Sequence, residues 1–162
     1  HSIVPAPNSV DLQPVAQDYI TRLLNHLNYV GVLTLELFVT DKGLYANEMA
    51  PRVHNSGHWS IEGSICSQFE NHIRAVAGLP LGSTEVVRPT VMVNIIGQYP
   101  KSEDVLALNG AHLHLYNKTE REGRKIGHIT LMPNDSAELV TLCRQLAKIL
   151  PNPLSLSEDM NI

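Results

Sequence analysis

Val32-Leu33-Thr34-Leu35-Glu36-Leu37-Phe38-Val39-Thr40, then Asp41-Lys42-Gly43, then Leu44-Tyr45-Ala46-Asn47-Glu48-Met49-Ala50 is the stretch whose reading decides the fold. The first run is β-branched and apolar, which predicts a buried strand. Asp41-Lys42-Gly43 predicts a three-residue hairpin loop with Gly43 in the left-handed position. Pairing Thr40 with Leu44 then sets Phe38 opposite Ala46 and Glu36 opposite Glu48. Carboxylates facing each other across a sheet lie about 5 Å apart at Cβ and repel. In an apolar strand Glu36 is also costly to desolvate. A divalent cation between the two would answer both problems, since Mg²⁺ takes hard oxygen ligands beside nucleotide phosphates. A register shifted by one, with one glutamate in solvent or paired to Lys or Arg, would answer them too. The spacing alone leaves both readings open.

The residues after the hairpin are dense in polar chemistry. Glu48, Arg52, His54, Asn55, Ser56, His58 and Trp59 fall within twelve positions. Arg52 suits bidentate recognition of a phosphate or carboxylate. Asn55 both donates and accepts, and Gly57 permits close backbone approach or a positive φ. Each residue also has an ordinary reading: a hydrogen-bonded histidine, an Arg52–Glu48 ion pair, a packed Trp59. A second loop, residues 117–125, carries Lys118 and Arg124, which could share an anion or form a solvated hairpin end; the residues alone favour the latter. His112 and His114 share a strand face, but no Cys, Asp or Glu joins them at ligand spacing, which speaks against zinc.

Around these stretches the periodicity predicts helices over 13–28, 64–77 and 135–150, the last capped by Asp135 or Ser136, and a short helix over 102–108. It predicts strands over 90–96, 111–116 and 126–132. Residues 1–12 and 51–63 read as irregular, 79–89 as a connection between lobes, and the tail after Pro151 as loose. This order gives an α+β fold with largely antiparallel sheets. A chain of 162 residues, 43% hydrophobic, allows one good core or two small lobes. Its net charge of −4 gives no reason to expect a nucleic acid or membrane partner. No apolar run reaches the length of a bilayer span, and no signal peptide opens the chain. A start at His1 rather than Met reads as processing or as a piece of something longer. Cys66 and Cys143 lie far apart and outside any CxxC, so they read as buried thiols in a reducing cytoplasm.

The runs Gly31–Thr40 and Asn47-Glu48-Met49-Ala50-Pro51-Arg52-Val53-His54-Asn55-Ser56-Gly57-His58-Trp59 together resemble the 5-(carboxyamino)imidazole ribonucleotide synthase family, ATP-grasp enzymes of purine biosynthesis. Pro5-Ala6-Pro7-Asn8, Ser67-Gln68-Phe69-Glu70, Asn94-Ile95-Ile96-Gly97, His112-Leu113-His114-Leu115-Tyr116 and Gly123-Arg124-Lys125-Ile126-Gly127-His128 extend the resemblance over nearly the whole chain. It covers only the later part of the family's sequence; nothing here matches the N-terminal domain or the lid lobe that grips ATP.

The resemblance implies that residues 1–84 form the second half of an ATP-grasp domain and residues 85–162 a small β-rich C-terminal domain. It implies ATP-dependent carboxylation of 5-aminoimidazole ribonucleotide with bicarbonate, through carboxyphosphate, by a cytoplasmic enzyme that is a homodimer at full length. ATP and Mg²⁺ are the implied cofactors. Glu36 and Glu48 match the Mg²⁺ ligands, and Asn47 and Glu48 the retained part of the ATP site. Arg52, His54 and Asn55 match the surroundings of the nucleotide and the carboxylating intermediate, with Arg52 and His54 as catalytic candidates. Lys118 and Arg124 match the clamp on the 5′-phosphate, which reverses the solvated reading of that loop. One departure is Glu122, where the family often has proline, and it puts the loop's rigidity in doubt. The alternatives are a non-catalytic nucleotide-binding remnant and another ATP-grasp carboxylase or ligase. With half the ATP site unmatched, this chain is expected to be inactive alone.

Overall fold

The computed structural model describes residues 1–6 and 9–152. Pro7, Asn8 and the tail from residue 153, expected to be loose, lie outside the described residues. The chain divides into two compact units, residues 5–86 and a second made of residues 1–4 with the chain from Val87 onward. The opening residues are therefore not irregular: β1 (Ser2–Val4) is a short strand of the second unit.

In the unit 5–86, α1 runs Ser9–Leu27 and so starts a turn earlier than its apolar spacing predicts. Pro14 lies inside it, near enough to the N-terminus that its missing N–H removes only one early helical bond. Two antiparallel strands follow, β2 (Thr34–Thr40) and β3 (Gly43–Ala50). The turn between them differs from the expectation. Thr40 pairs with Gly43, leaving a two-residue turn, and Phe38 faces Tyr45 rather than Ala46. Gly43, at φ +116°, takes a conformation that other residues rarely adopt. The register then shifts between Glu36 and Leu37, with Asn47 as the extra residue, and Glu36 pairs with Glu48 after all. The bulge adds back the residue that the tighter turn removed.

Nor is β2 fully buried. Leu35 and Leu37 line a hollow with Ile20 of α1, while Phe38 and Val39 are more than half exposed. A two-stranded sheet has two open edges and one helix to lie against here, so much of its apolar surface stays in solvent.

Beyond β3 the predicted irregular stretch contains a 3₁₀ turn (Asn55–Gly57) and a short helix, α2 (Ser60–Gly63). The helix expected over 64–77 begins later, as α3 (Gln68–Val76). Residues 64–67 lie outside any helix instead, with Ser64 extended and bridged to Val86 and a bend at residues 65–66. Ser67 caps α3 by accepting from the Glu70 N–H at 3.2 Å, the short polar side chain stopping the helix from running further back.

The second unit is a four-stranded antiparallel sheet in the order β1-β4-β6-β5. Its other members are β4 (Thr90–Ile96), β5 (Ala111–Leu115) and β6 (Lys125–Leu131), with α4 (Ser102–Leu106) and α5 (Ser136–Ile149). Asp135 is the N-cap of α5, accepting from the Glu138 N–H at 2.8 Å. Val91, Val93 and Ile95 of β4, Ile126, Ile129 and Leu131 of β6, Val105 of α4, and Leu142, Cys143 and Leu146 of α5 form one buried core. Strand alternation and helix spacing bring these apolar positions together.

Candidate functional site

In the unit 5–86 the hairpin register carries the site. Glu36 and Glu48 are cross-strand partners, and the bulge residue Asn47 donates from Nδ2 to Glu36 Oε2 at 3.3 Å. His54 enters from the following loop. Its Nδ1 lies 3.5 Å from Glu36 Oε1 and its Nε2 lies 3.7 Å from Glu48 Oε1. The imidazole thus stands between the carboxylates. Glu36 is a third exposed and Glu48 about half exposed, whereas His54 is largely buried. The desolvation expected at Glu36 is therefore only partial.

The His54 tautomer follows from its neighbours. The ring caps the 3₁₀ turn by accepting from the Ser56 N–H, and Ser56 Oγ sits 2.9 Å from the same Nδ1. An accepting Nδ1 places the proton on Nε2, on the side of Glu48. The separations to both carboxylates exceed hydrogen-bond length, so the contact is one of proximity.

What holds His54 was not legible in the sequence. Gln68, at the start of α3, grips its backbone with both ends of one amide. Oε1 accepts from the His54 N–H at 3.0 Å and Nε2 donates to the His54 carbonyl at 2.7 Å. Nε2 also lies 2.9 Å from His58 Nδ1. Gly57 makes room for this amide: a Cβ there would lie 2.7 Å from Gln68 Oε1. Gly57 thus serves close approach rather than a positive φ. No spacing rule links residues 14 positions apart across a turn, and only the Ser-Gln start of α3 hints at the arrangement.

Arg52 bonds outside this grouping. It donates from Nη1 to the Val53 carbonyl at 3.0 Å, where an ion pair with Glu48 was the simpler reading. Asn55 begins the 3₁₀ turn, and its carbonyl accepts from the His58 N–H at 3.1 Å.

The donor set fits a hard cation. Two carboxylates and an amide side chain cluster at one bulge, a type of surface suited to Mg²⁺ that shares its coordination with phosphate oxygens and water. Among the described residues no group of three or more His, Cys, Asp or Glu side chains forms a metal cage, so the fit rests on that sharing.

In the second unit, Lys118 and Arg124 sit on the loop joining β5 to β6. Lys118 Nζ lies 5.1 Å from the centre of the Tyr116 ring and 3.5 Å from the Lys125 carbonyl. Arg124 donates from Nη1 to the Thr119 carbonyl at 3.4 Å. Of the strand histidines, His112 is exposed, while His114 faces His128 across β5 and β6 and stacks on it, with ring centres 4.4 Å apart. Both cysteines are buried and free. Burial pushes the Cys143 thiol from 9.0 up to about 11. Among the described residues no helix is long and apolar enough to cross a membrane.

A carboxylate-bearing hairpin followed by a histidine turn and a separate β-rich unit belongs to the ATP-grasp class: residues 1–69 match the ATP-grasp domain. Residues 90–141 match the phosphoribosylaminoimidazole carboxylase C-terminal domain. The N5-carboxyaminoimidazole ribonucleotide synthase of Pseudomonas aeruginosa is 59% identical over 79% of this chain and 36% of its own length. The crystal structure of the corresponding synthetase from Thermus thermophilus superposes with a TM-score of 0.89 at 50% identity, covering 93% of this chain and 42% of that one. The Aspergillus clavatus synthase, solved with ADP and 5-aminoimidazole ribonucleotide, gives a TM-score of 0.82 at 34% identity over 91% of this chain and 42% of its own. The chain belongs to the N5-carboxyaminoimidazole ribonucleotide synthase family, and it spans well under half the length of these relatives.

Proposed function

We propose that this chain supplies part of the site of an ATP-dependent carbon–nitrogen ligase. The reaction joins bicarbonate to the exocyclic amine of 5-aminoimidazole ribonucleotide, giving the N-carboxylated nucleotide, ADP and phosphate. The observation that carries this reading is the pairing of Glu36 with Glu48 beneath His54. Residues 1–84 act as the later half of an ATP-grasp domain and residues 85–162 as the C-terminal domain, in a cytoplasmic enzyme that is a homodimer at full length.

Each role is the one the family resemblance implies, and the side-chain chemistry is compatible with it. Glu36 and Glu48 would hold Mg²⁺, and Asn47 and Glu48 would belong to the retained part of the ATP site. When bound, Mg²⁺ neutralises charge on the transferring phosphoryl group. Bicarbonate oxygen attacks the γ-phosphorus of ATP, ADP leaves, and carboxyphosphate carries the carbon forward. The amine nitrogen then takes that carbon as phosphate departs, and the amine loses one proton. Arg52 offers a fork of N–H donors to the carboxyphosphate anion. His54 is positioned to manage the amine's proton, and Asn55 to hydrogen-bond the nucleotide. Lys118 and Arg124 take the 5′-phosphate as a point charge and a fork. Beyond these roles, positioning supplies most of the rate.

The test is phosphate release from Mg-ATP with bicarbonate, with and without 5-aminoimidazole ribonucleotide, by the longest chain the gene encodes. Release that depends on the nucleotide supports the ligase. A folded protein with no such dependence leaves a nucleotide-binding remnant or another substrate. Residues 1–162 alone are expected not to turn over, and nucleotide-coupled hydrolysis by them would overturn that expectation.

A further inference from the structure

The loop that carries Lys118 has no proline and bears several charges (Glu120, Arg121, Glu122, Arg124), a composition that would leave it free to wander. It is tied down from outside. The Tyr99 ring packs against the buried core of the second unit, and its hydroxyl reaches the Lys118 backbone twice. It donates to the Lys118 carbonyl at 2.8 Å and accepts from the Lys118 N–H at 3.1 Å. The tie is reciprocal, since the Tyr99 N–H donates to Glu120 Oε1 at 2.7 Å. The chain enters the loop through Asn117 at φ +53°, a conformation that costs energy and persists where its surroundings impose it.

The side chain of Lys118 has its own guide. Its ammonium lies over the Tyr116 ring, 5.1 Å from the centre, within cation–π range. That ring packs against the ring of buried His128, centres 5.7 Å apart, with the Tyr116 hydroxyl 2.7 Å from His128 Nδ1, and His128 stacks on His114. Backbone and ammonium of one lysine are thus fixed by two tyrosines, each anchored in the β-sheet unit.

We infer that Tyr99 and Tyr116 are positioning residues for Lys118, holding its ammonium ready for a phosphomonoester before the ligand arrives. This rests on the reading of Lys118 and Arg124 as a phosphate clamp. The gain is preorganisation: a long side chain already aimed loses less freedom on binding. Tyr99 governs affinity through the backbone, and Tyr116 through its ring face rather than its hydroxyl.

The experiment titrates ribose 5-phosphate into isotopically labelled chain and follows the Lys118 and Arg124 side-chain resonances. Wild-type protein is expected to show saturable shifts that Lys118→Ala abolishes. Tyr99→Phe, which removes only the hydroxyl, should weaken affinity about tenfold. Tyr116→Leu should weaken it about threefold and abolish the ring-current shift of the Lys118 ε-methylene protons, whereas Tyr116→Phe should preserve both. A destabilised core control, Leu113→Ala, should keep wild-type affinity. Unchanged affinity in Tyr99→Phe and Tyr116→Leu overturns the inference and leaves the clamp standing. Equal weakening by Leu113→Ala, or by Tyr116→Phe and Tyr116→Leu alike, also overturns it. No saturable binding by the wild type overturns the clamp reading and the inference with it.

Discussion

Glu36 and Glu48 face each other although neither needs the other for stability. Like charges directly opposite on adjacent strands cost a sheet a few tenths of a kcal/mol to about 1 kcal/mol. Replacing Glu48 with Gln should therefore leave this chain as stable as before, or raise its hairpin stability by about 0.5 kcal/mol. In the complete enzyme the same change should abolish phosphate release if, as proposed, Glu36 and Glu48 together hold the cation. Thermal unfolding of the chain and turnover of the full enzyme test the two halves; a Glu48→Gln enzyme active at low Mg²⁺ would show the metal assignment to be wrong. This pair was legible in the sequence for a partly accidental reason. A three-residue turn and a two-residue turn followed by a bulge lead to the same Glu36–Glu48 pairing. Alternating side chains mark the faces of a strand, but nothing in Leu44 to Glu48 marks where the ladder will slip. So the bond from Asn47 to Glu36 could not be foreseen.

At the scale of elements, the turn after β3 keeps its shape because Gln68 reaches back from α3. Gly57→Ala would push a methyl group to 2.7 Å from Gln68 Oε1, a separation that something must yield. We expect about 1–3 kcal/mol of destabilisation, the usual cost of overpacking, together with faster hydrogen exchange at the His54 amide; an unchanged exchange rate would mean that the Gln68 grip does not order the turn. On the other unit, α5 buries Leu142, Cys143 and Leu146. The raised Cys143 pKa of about 11 makes the native thiol inert. Iodoacetamide at pH 8 should leave it unmodified in native protein and alkylate it in denaturant. The sign for stability follows: the unfolded thiol ionises near 9 and the folded one near 11, so this group's contribution is lost as pH rises between those values. Strands 90–96 and 126–132 were readable because their apolar runs are long and bounded by glycine or proline. The helix expected over 64–77 was not, because its apolar spacing continues through residues whose backbone pairs with Ser83 and Glu85, a tertiary preference that periodicity does not register.

Across the whole molecule the buried apolar residues are distributed unevenly. The contiguous core lies wholly in the second unit, where β4, β6, α4 and α5 supply ten buried side chains. The unit 5–86 buries Leu33, Ala50 and Cys66, while Phe38, Val39, Tyr45, Ile65, Ile73, Val76, Leu79 and Leu81 are each more than half exposed. Burial of a large apolar side chain contributes about 1.5–3 kcal/mol, so the units differ in stability by several such residues. The prediction is two unfolding steps rather than one in this chain. Amides of β2 and β3 should exchange early, and those of β4 and β6 should exchange only near the global limit. Leu146→Ala should cost the second unit about 2–5 kcal/mol, since Leu146 is fully buried, and should leave the first transition in place. A single cooperative transition, shifted as a whole by Leu146→Ala, would show instead that the carboxylate hairpin draws its stability from the β-rich core.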